Sequence, residues 1–460
     1  MTDPFEAFET DSWTAPEQTV PAAGQPSLDA MLAPANVGAA WQRVRRNRGC
    51  AGVDGVSIAE LEPGFDQEWR RVDRDLRSGG YRPQPLLRVR VPKPSGGERL
   101  LGVPAVIDRV VQQAAAQVLA PRWEPRFSPR SYAYRPGRGC RDALGAVESA
   151  LNRGADHVLH VDIENFFDSV PHTVALAALA NDLTDDPLAS LVRRTLSCGV
   201  YESGLVRPTT IGLAQGSPLS PLLANVVLHR LDQRLETSGW EFARYADDCL
   251  VVLPGPQLGP KARETVVATL ADLGLNLNER KSAFGPFTEA RFLGFAFRRD
   301  ALGQAVRTVS PEALAEATES LLRFVQTFGS GADEAANETA EMLRSWLAYF
   351  YTPNDEAILR RLADHVGTAW RERFGAAALP ECLRWEALSG ANHSRGRVDY
   401  SGHFREARAS GGSVDWAETA RCLLWRALRS RRWHLECDLG SGRRPGVRLC
   451  LGRHQINLRF

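Results

Sequence analysis

The chain has 460 residues, 43% hydrophobic and 24% charged, with a formal net charge of +1. This is the composition of a water-soluble globular protein with room for two to four packed units. It excludes a membrane-spanning protein, because no apolar run approaches the ~20 residues a span requires, and the N-terminus has no basic-then-apolar secretion pattern. A cytoplasmic location without a membrane partner is the expectation. The eight cysteines are scattered, with no CxxC pair, so reduced thiols rather than a disulfide framework are expected.

Charge is unevenly distributed. Residues 1–30 carry six acids and no Lys or Arg, whereas 421–460 carry ten Arg against Glu436 and Asp438. A basic tail of this kind can screen phosphates or simply form a solvated face. Only three of the 56 basic residues are Lys, at positions 93, 261 and 281. Each is of interest, since Lys can release a proton near neutral pH and Arg cannot.

In chain order, residues 1–26 are rich in Pro, Ala, Thr and acids without periodicity and read as a disordered leader. A helical pattern runs from Ser27 to the turn-rich "GCAGVDG", and an amphipathic helix surrounds Phe65–Leu76. "LLRVRVP" followed by a Gly-Gly turn predicts a hairpin with basic residues on one face. Helix returns at "VIDRVVQQAAAQVLAPRW". "HVLHVDIENFFDSV" reads as a short strand closed by Asp162, and a long helix follows "QGSPLSP". "FARYADDCLVVL" predicts strand, tight turn, strand; "KARETVVATLADLGL" a helix; and "FLGFAFRR" a further strand. The order β–α–β–β–α–β over 157–298 fits an antiparallel sheet backed by helices. From residue 310 the pattern is mainly helical, and the last ~60 residues, rich in Arg and Trp, read as a separate small unit.

If the Asp162 strand and the Asp247–Asp248 hairpin are neighbours, three carboxylates meet at one sheet edge. Clustered carboxylates repel unless hard cations neutralise them, and Mg²⁺ takes one or two protein carboxylates together with phosphate oxygens and water. Two such ions can activate a hydroxyl and stabilise the departing oxygen of an in-line phosphoryl transfer. A bare "ADD" on a turn is ordinary turn chemistry. Its setting is not ordinary: "VDIENFFDSVPH", "QGSPLSPLLAN" and "RYADDCLVV", in that order, resemble the motifs of reverse transcriptases, most closely those of group II introns and their domesticated bacterial relatives. The resemblance extends over roughly residues 28–375. It implies an α+β right-hand polymerase: a leader (1–26), an N-terminal extension (27–80), fingers (81–156), a palm with a ferredoxin-like antiparallel sheet and part of the fingers (157–300), a helical thumb (301–375) and a basic C-terminal region (376–460).

The resemblance also implies site residues. Asp162 and Asp247 would hold two Mg²⁺ ions, or Mn²⁺, with Asp248 as the neighbouring acid. Phe167 would reject ribonucleotides by filling the space of a 2′-hydroxyl; otherwise it is a core aromatic beside Phe166. Gln215 and Gly216, just ahead of a helix, would lie against the incoming nucleotide. Lys93 and Arg99 would grip its triphosphate, and Lys281 would protonate or neutralise the leaving pyrophosphate. Arg109, Arg135 and Arg138 would contact template or primer, with Tyr132 or Tyr134 packing or stacking there. Phe292, Leu293 and Gly294 resemble the primer-grip strand. His157 and His160 are read as packing residues.

In the tail, His434, Cys437, Cys450 and His454 form HxxC, twelve residues, then CxxxH. That spacing could hold tetrahedral zinc; a basic hairpin with buried thiols is the alternative. The paired CxxC motifs of an HNH endonuclease are missing from the sequence. The function expected is copying RNA into DNA from a DNA or RNA primer with dNTPs, in phage defence or CRISPR spacer acquisition with the corresponding protein partners. An intron maturase without endonuclease, recognising a specific structured RNA, is the alternative. A non-catalytic RNA-binding scaffold and an RNA-dependent RNA polymerase are rivals that intact Asp162 and Asp247, and Phe167 beside YADD, argue against.

Overall fold

The computed structural model describes residues 25–92, 98–183, 185–327, 331–375 and 378–390, together with the backbone of three strands between 433 and 459. Nearly all of the expected leader and Lys93 fall outside these residues. Two compact units divide the described chain, one ending at Pro286 and the next beginning at Phe287. Among the described residues no helix is long and apolar enough to cross a membrane.

The first unit begins with helices α1 (Pro34–Asn47) and α2 (Phe65–Arg77), followed by strands β1 (Leu86–Pro92) and β2 (Glu98–Val103) and helix α3 (Val106–Trp123). α1 packs on α3 through apolar residues and one polar lock. Gln117 Nε2 donates to Asn36 Oδ1 at 2.7 Å, and Asn36 Nδ2 donates to the Met31 and Ala114 carbonyls. Such a buried amide network is tolerated because its members bond one another. The predicted hairpin is present, with Leu87 opposite Val103 and Pro92 opposite Glu98. Strands β4 (Val200–Glu202) and β5 (Leu205–Arg207) extend it into a sheet of order β2-β1-β4-β5. Arg90, exposed on β1, is tied to Glu98 and Glu202.

A second sheet carries the aspartates. Its strands are β3 (His157–Val161), β6 (Glu241–Tyr245), β7 (Asp248–Leu253) and β8 (Ala283–Pro286), in the order β6-β7-β3-β8, with every neighbouring pair antiparallel. This is the ferredoxin-like order of the expected palm. Every residue of β7 is buried, which explains its unbroken apolar run after Asp248. Helices α4 (Cys140–Asn152), α5 (Ser220–Thr237) and α6 (Gly259–Asp272) pack around the sheet. One expectation is corrected. The fourth strand is "AFGP" rather than "FLGFAFRR", because His157–His160 pair with Pro286–Ala283 and the chain then turns at Phe287–Glu289.

In the second unit, β9 (Arg291–Phe292), β10 (Phe295–Arg299) and β11 (Ala305–Val309) form their own sheet, followed by helices α7 (Pro311–Thr327), α8 (Ala332–Phe350) and α9 (Glu356–Phe374). Its core centres on Phe295, Trp346 and Phe350, with ring centroids 5.2 Å apart for Phe295–Phe350 and 4.3 Å for Trp346–Phe350. The two-residue turn Leu293–Gly294 has φ of 51° and 78°. Positive φ at both positions is the hairpin geometry that glycine relieves.

Near the C-terminus, β12 (Trp433–Asp438), β13 (Gly446–Leu451) and β14 (His454–Arg459) form a sheet in that order. His434 lies opposite Cys450 in its register and Cys437 opposite Val447. The side chains of the zinc candidates His434, Cys437, Cys450 and His454 are outside the described residues.

Candidate active site

Asp162 follows β3 directly, and Asp248 opens β7. Because Val161 pairs with Cys249, the register carries Asp162 to the position beside Asp248. Asp247 sits one residue earlier, on the two-residue turn Ala246–Asp247 that closes the β6–β7 hairpin between Tyr245 and Asp248. Sequence positions some 85 residues apart therefore meet at one end of two adjacent strands.

Each acid is held differently. Asp162 is 4% exposed; its Oδ1 accepts from Asn278 Nδ2 at 2.8 Å, its backbone N–H donates to Ser282 Oγ at 3.0 Å, and Lys281 Nζ is 3.6 Å from its Oδ2. All three partners come from "NLNERKS" (276–282), which also extends the strand pairing by bonding Glu164 N–H to the Asn276 carbonyl. Asp248 is 3% exposed and its Oδ1 is 2.8 Å from His160 Nε2. Burial by itself would lower the His160 pKa, but the Asp248 charge, its hydrogen bond and the charge of Asp162 outweigh it, and the net shift is upward. His160 is thus a partner of the acids and not only a packing residue. The signal for it lay in the alternation of β3, which puts His160 and Asp162 on one face.

Among the described residues no three His, Cys, Asp or Glu side chains converge closely enough to form a metal-binding cluster. Within the set Asp162, Asp247 and Asp248, the Asp248 carboxylate is engaged by His160. Hard carboxylate oxygens at Asp162 and Asp247 still suit Mg²⁺, which needs only one or two of them when phosphate oxygens and water supply the rest.

The surrounding predicted residues fall into two groups. Phe167 is half-buried, its ring 5.4 Å from Phe166 and nearly perpendicular to it, and its carbonyl accepts from Leu213 N–H at 2.6 Å. That bond brings Phe167 to the segment leading into Gln215 and Gly216. The Gln215 carbonyl in turn accepts from Gly102 N–H on β2. Gly216 has φ of 119°, and a Cβ there would stand 3.1 Å from the Gly102 carbonyl, so the loop requires glycine both for its conformation and for this approach. Arg99 lies on β2 in this neighbourhood, opposite Val91. Arg138 is partly exposed, donates to the Pro129 carbonyl at 2.7 Å and lies over Tyr132.

In the other group, expectation and structure part. Arg135 is buried; it pairs with Glu124 at 2.7 Å and donates to the Ser128 and Ser131 carbonyls, so it braces its own loop. Arg109 is also buried and donates to the Cys50 carbonyl, fastening the 49–50 loop to α3. The side chains of Phe292 and Leu293 are buried within the second unit's core, while the Leu293 carbonyl accepts from Tyr349 Oη.

Residues 91–297 match the family described as reverse transcriptase (RNA-dependent DNA polymerase). The chain carries a reverse transcriptase domain. This domain is 35% identical over 188 residues to the protein YkfC of Escherichia coli K12, covering 40% of this chain and 49% of YkfC. It is 32% identical over 196 residues to the group II intron-encoded protein LtrA of Lactococcus lactis subsp. cremoris, covering 42% of this chain and 32% of LtrA. The chain thus spans about half or less of the length of these curated relatives. A solved partial Cas6-RT-Cas1–Cas2 complex aligns with a TM-score of 0.35 and 28% identity, over 53% of this chain and 41% of that one.

Proposed function

We propose that this reverse transcriptase domain extends a DNA or RNA primer on an RNA template with dNTPs, by a two-metal mechanism. The observation that carries the reading is the strand register that sets Asp162 beside the Asp247–Asp248 turn. Asp162 and Asp247 are the residues that would hold Mg²⁺, which when bound lowers the pKa of the attacking 3′-hydroxyl and neutralises charge on the phosphate. Asp248 serves beside them, held by His160. Lys281, next to Asp162, donates a proton or positive charge to the departing pyrophosphate. Phe167 closes off the space a 2′-hydroxyl would need, Gln215 and Gly216 line the nucleotide's approach, and Lys93 and Arg99 bind its triphosphate. Arg138 contacts the template backbone.

The domain's setting is phage defence or CRISPR spacer acquisition; the likeness to the group II intron-encoded protein LtrA supports a second reading, in which the partner is an intron RNA, as for a maturase. The test of the activity is primer extension on an RNA template, comparing dNTPs with rNTPs and including an Asp247→Ala control. The expected result is extension with dNTPs alone, abolished in the variant. Equal extension by Asp247→Ala, or extension with rNTPs only, would refute the reading. On the second reading, a filter-binding comparison of a structured intron RNA with an unstructured RNA of equal length should favour the former.

A further inference from the structure

Arg244, the residue before the YADD sequence, is a fully buried charge. Arg244 and Asp232 both have side chains with no exposure, and Arg244 donates through Nε and Nη2 to the two Asp232 oxygens, each at 2.6 Å. Its remaining donors go to Asn225 Oδ1 at 3.0 Å, Ser131 Oγ at 2.8 Å and the Ala246 carbonyl at 2.9 Å. A guanidinium has five N–H donors in a rigid fork, and these five bonds use them all.

The partners belong to three segments distant in sequence. Asp232 and Asn225 lie on α5, the helix that follows QGSPLSP; Ser131 lies in the 128–135 loop; and Ala246 is the first residue of the turn bearing Asp247. The backbone repeats the connection, since Arg244 N–H bonds the Arg130 carbonyl and Tyr132 N–H bonds the Arg244 carbonyl, both at 2.9 Å. Ala246 has φ of 57°, a left-handed conformation that an alanine adopts only when its surroundings impose it.

We propose that Arg244 is a positioning residue for the reaction: through its bond to the Ala246 carbonyl it fixes the turn that presents Asp247, referenced to α5 and the 128–135 loop. A buried ion pair adds little net stability over apolar residues of equal volume, so its use here is to select one geometry. Lys cannot replace it, because three donors on a flexible stem cannot span Asp232, Ser131, Asn225 and the turn together. This inference rests on the polymerase reading for its kinetic consequence, but not for the claim about the turn.

The experiment uses the full chain and two variants, Arg244→Lys and the double variant Arg244→Met with Asp232→Leu, which removes both buried charges together. Folding is checked by circular dichroism and thermal melting. Hydrogen exchange is then followed in peptides covering 241–253, and single-nucleotide extension is measured with dNTP and Mg²⁺ varied. In folded variants, kcat should fall roughly 10- to 100-fold with little change in the KM for dNTP. The Mg²⁺ requirement should rise, and exchange at 246–248 should quicken. Adding Ala246→Gly to Arg244→Lys should recover part of the lost rate, since glycine adopts positive φ without needing to be held. Wild-type exchange at the turn in either folded variant, or kcat within about twofold of wild type, overturns the proposal. A wild-type chain without extension activity but with variant-dependent exchange would sink the polymerase reading and leave the positioning role of Arg244 standing.

Discussion

His160 Nε2 stands 2.8 Å from Asp248 Oδ1, joining the third strand of the chain to the first residue of the seventh. The bond spans the same strand pair that sets Asp162 next to Asp248, and both side chains in it are largely buried, at 12% and 3% exposure. It distinguishes the acids by their partners: Asp248 is engaged by His160, and Asp162 by Asn278 and Lys281.

Replacing His160 by Leu removes that hydrogen bond from a buried carboxylate. The expected cost is about 1–3 kcal/mol of stability, measured by urea denaturation, together with reduced extension. His160→Gln, whose amide can still donate to Asp248, should recover much of both. Equal losses in the Leu and Gln variants would show that the hydrogen bond is not what matters.

Phe167 should govern sugar selection. Phe167→Ala is expected to reduce discrimination against ribonucleotides roughly 10- to 100-fold, by analogy with the energetics of opening apolar space in a pocket. The readout is the ratio of kcat/KM for dNTP and rNTP in single-nucleotide extension, and an unchanged ratio would return Phe167 to the role of a packing residue.

Lys281 Nζ lies 3.6 Å from Asp162 Oδ2, and Lys281→Arg keeps the charge while removing a group able to give up its proton. If proton donation is its task, the single-turnover rate should fall by roughly 100-fold. A rate equal to wild type would reduce Lys281 to a point charge or less.

Asp108 supplies a pH prediction away from the site. Burial raises its pKa from 3.8 to about 6, against the lowering effects of hydrogen bonds from Tyr81 Oη and Gln84 N–H. A carboxyl with a raised folded-state pKa contributes most to stability below its unfolded value and loses that contribution as pH rises through the folded one. Thermal stability should therefore carry a component of at most about 3 kcal/mol that declines between about pH 4 and 6. Asp108→Asn should flatten that component; melts of both proteins from pH 4 to 8 that stay parallel would contradict the assignment.

Most of the helices and the β1–β2 and β6–β7 hairpins could be read from the sequence alone. Periodicity reports which face of an element is apolar, and turn residues such as Gly-Gly or Ala-Asp act within a few positions of themselves. What only the tertiary structure decided was the fate of individual charges. Arg135 and Arg138 are three residues apart in one basic stretch, yet Arg135 is buried on Glu124 while Arg138 stays partly exposed. His160 looked like a packing residue until β7 was laid beside β3, and Arg244 looked like one arginine among many until α5 brought Asp232 to it. The fourth sheet strand was misplaced for the same reason, since "AFGP" carries weak strand chemistry and pairs because β3 offers it a free edge. Burial and ion pairing depend on which distant segments the fold brings together, and periodicity does not encode that choice.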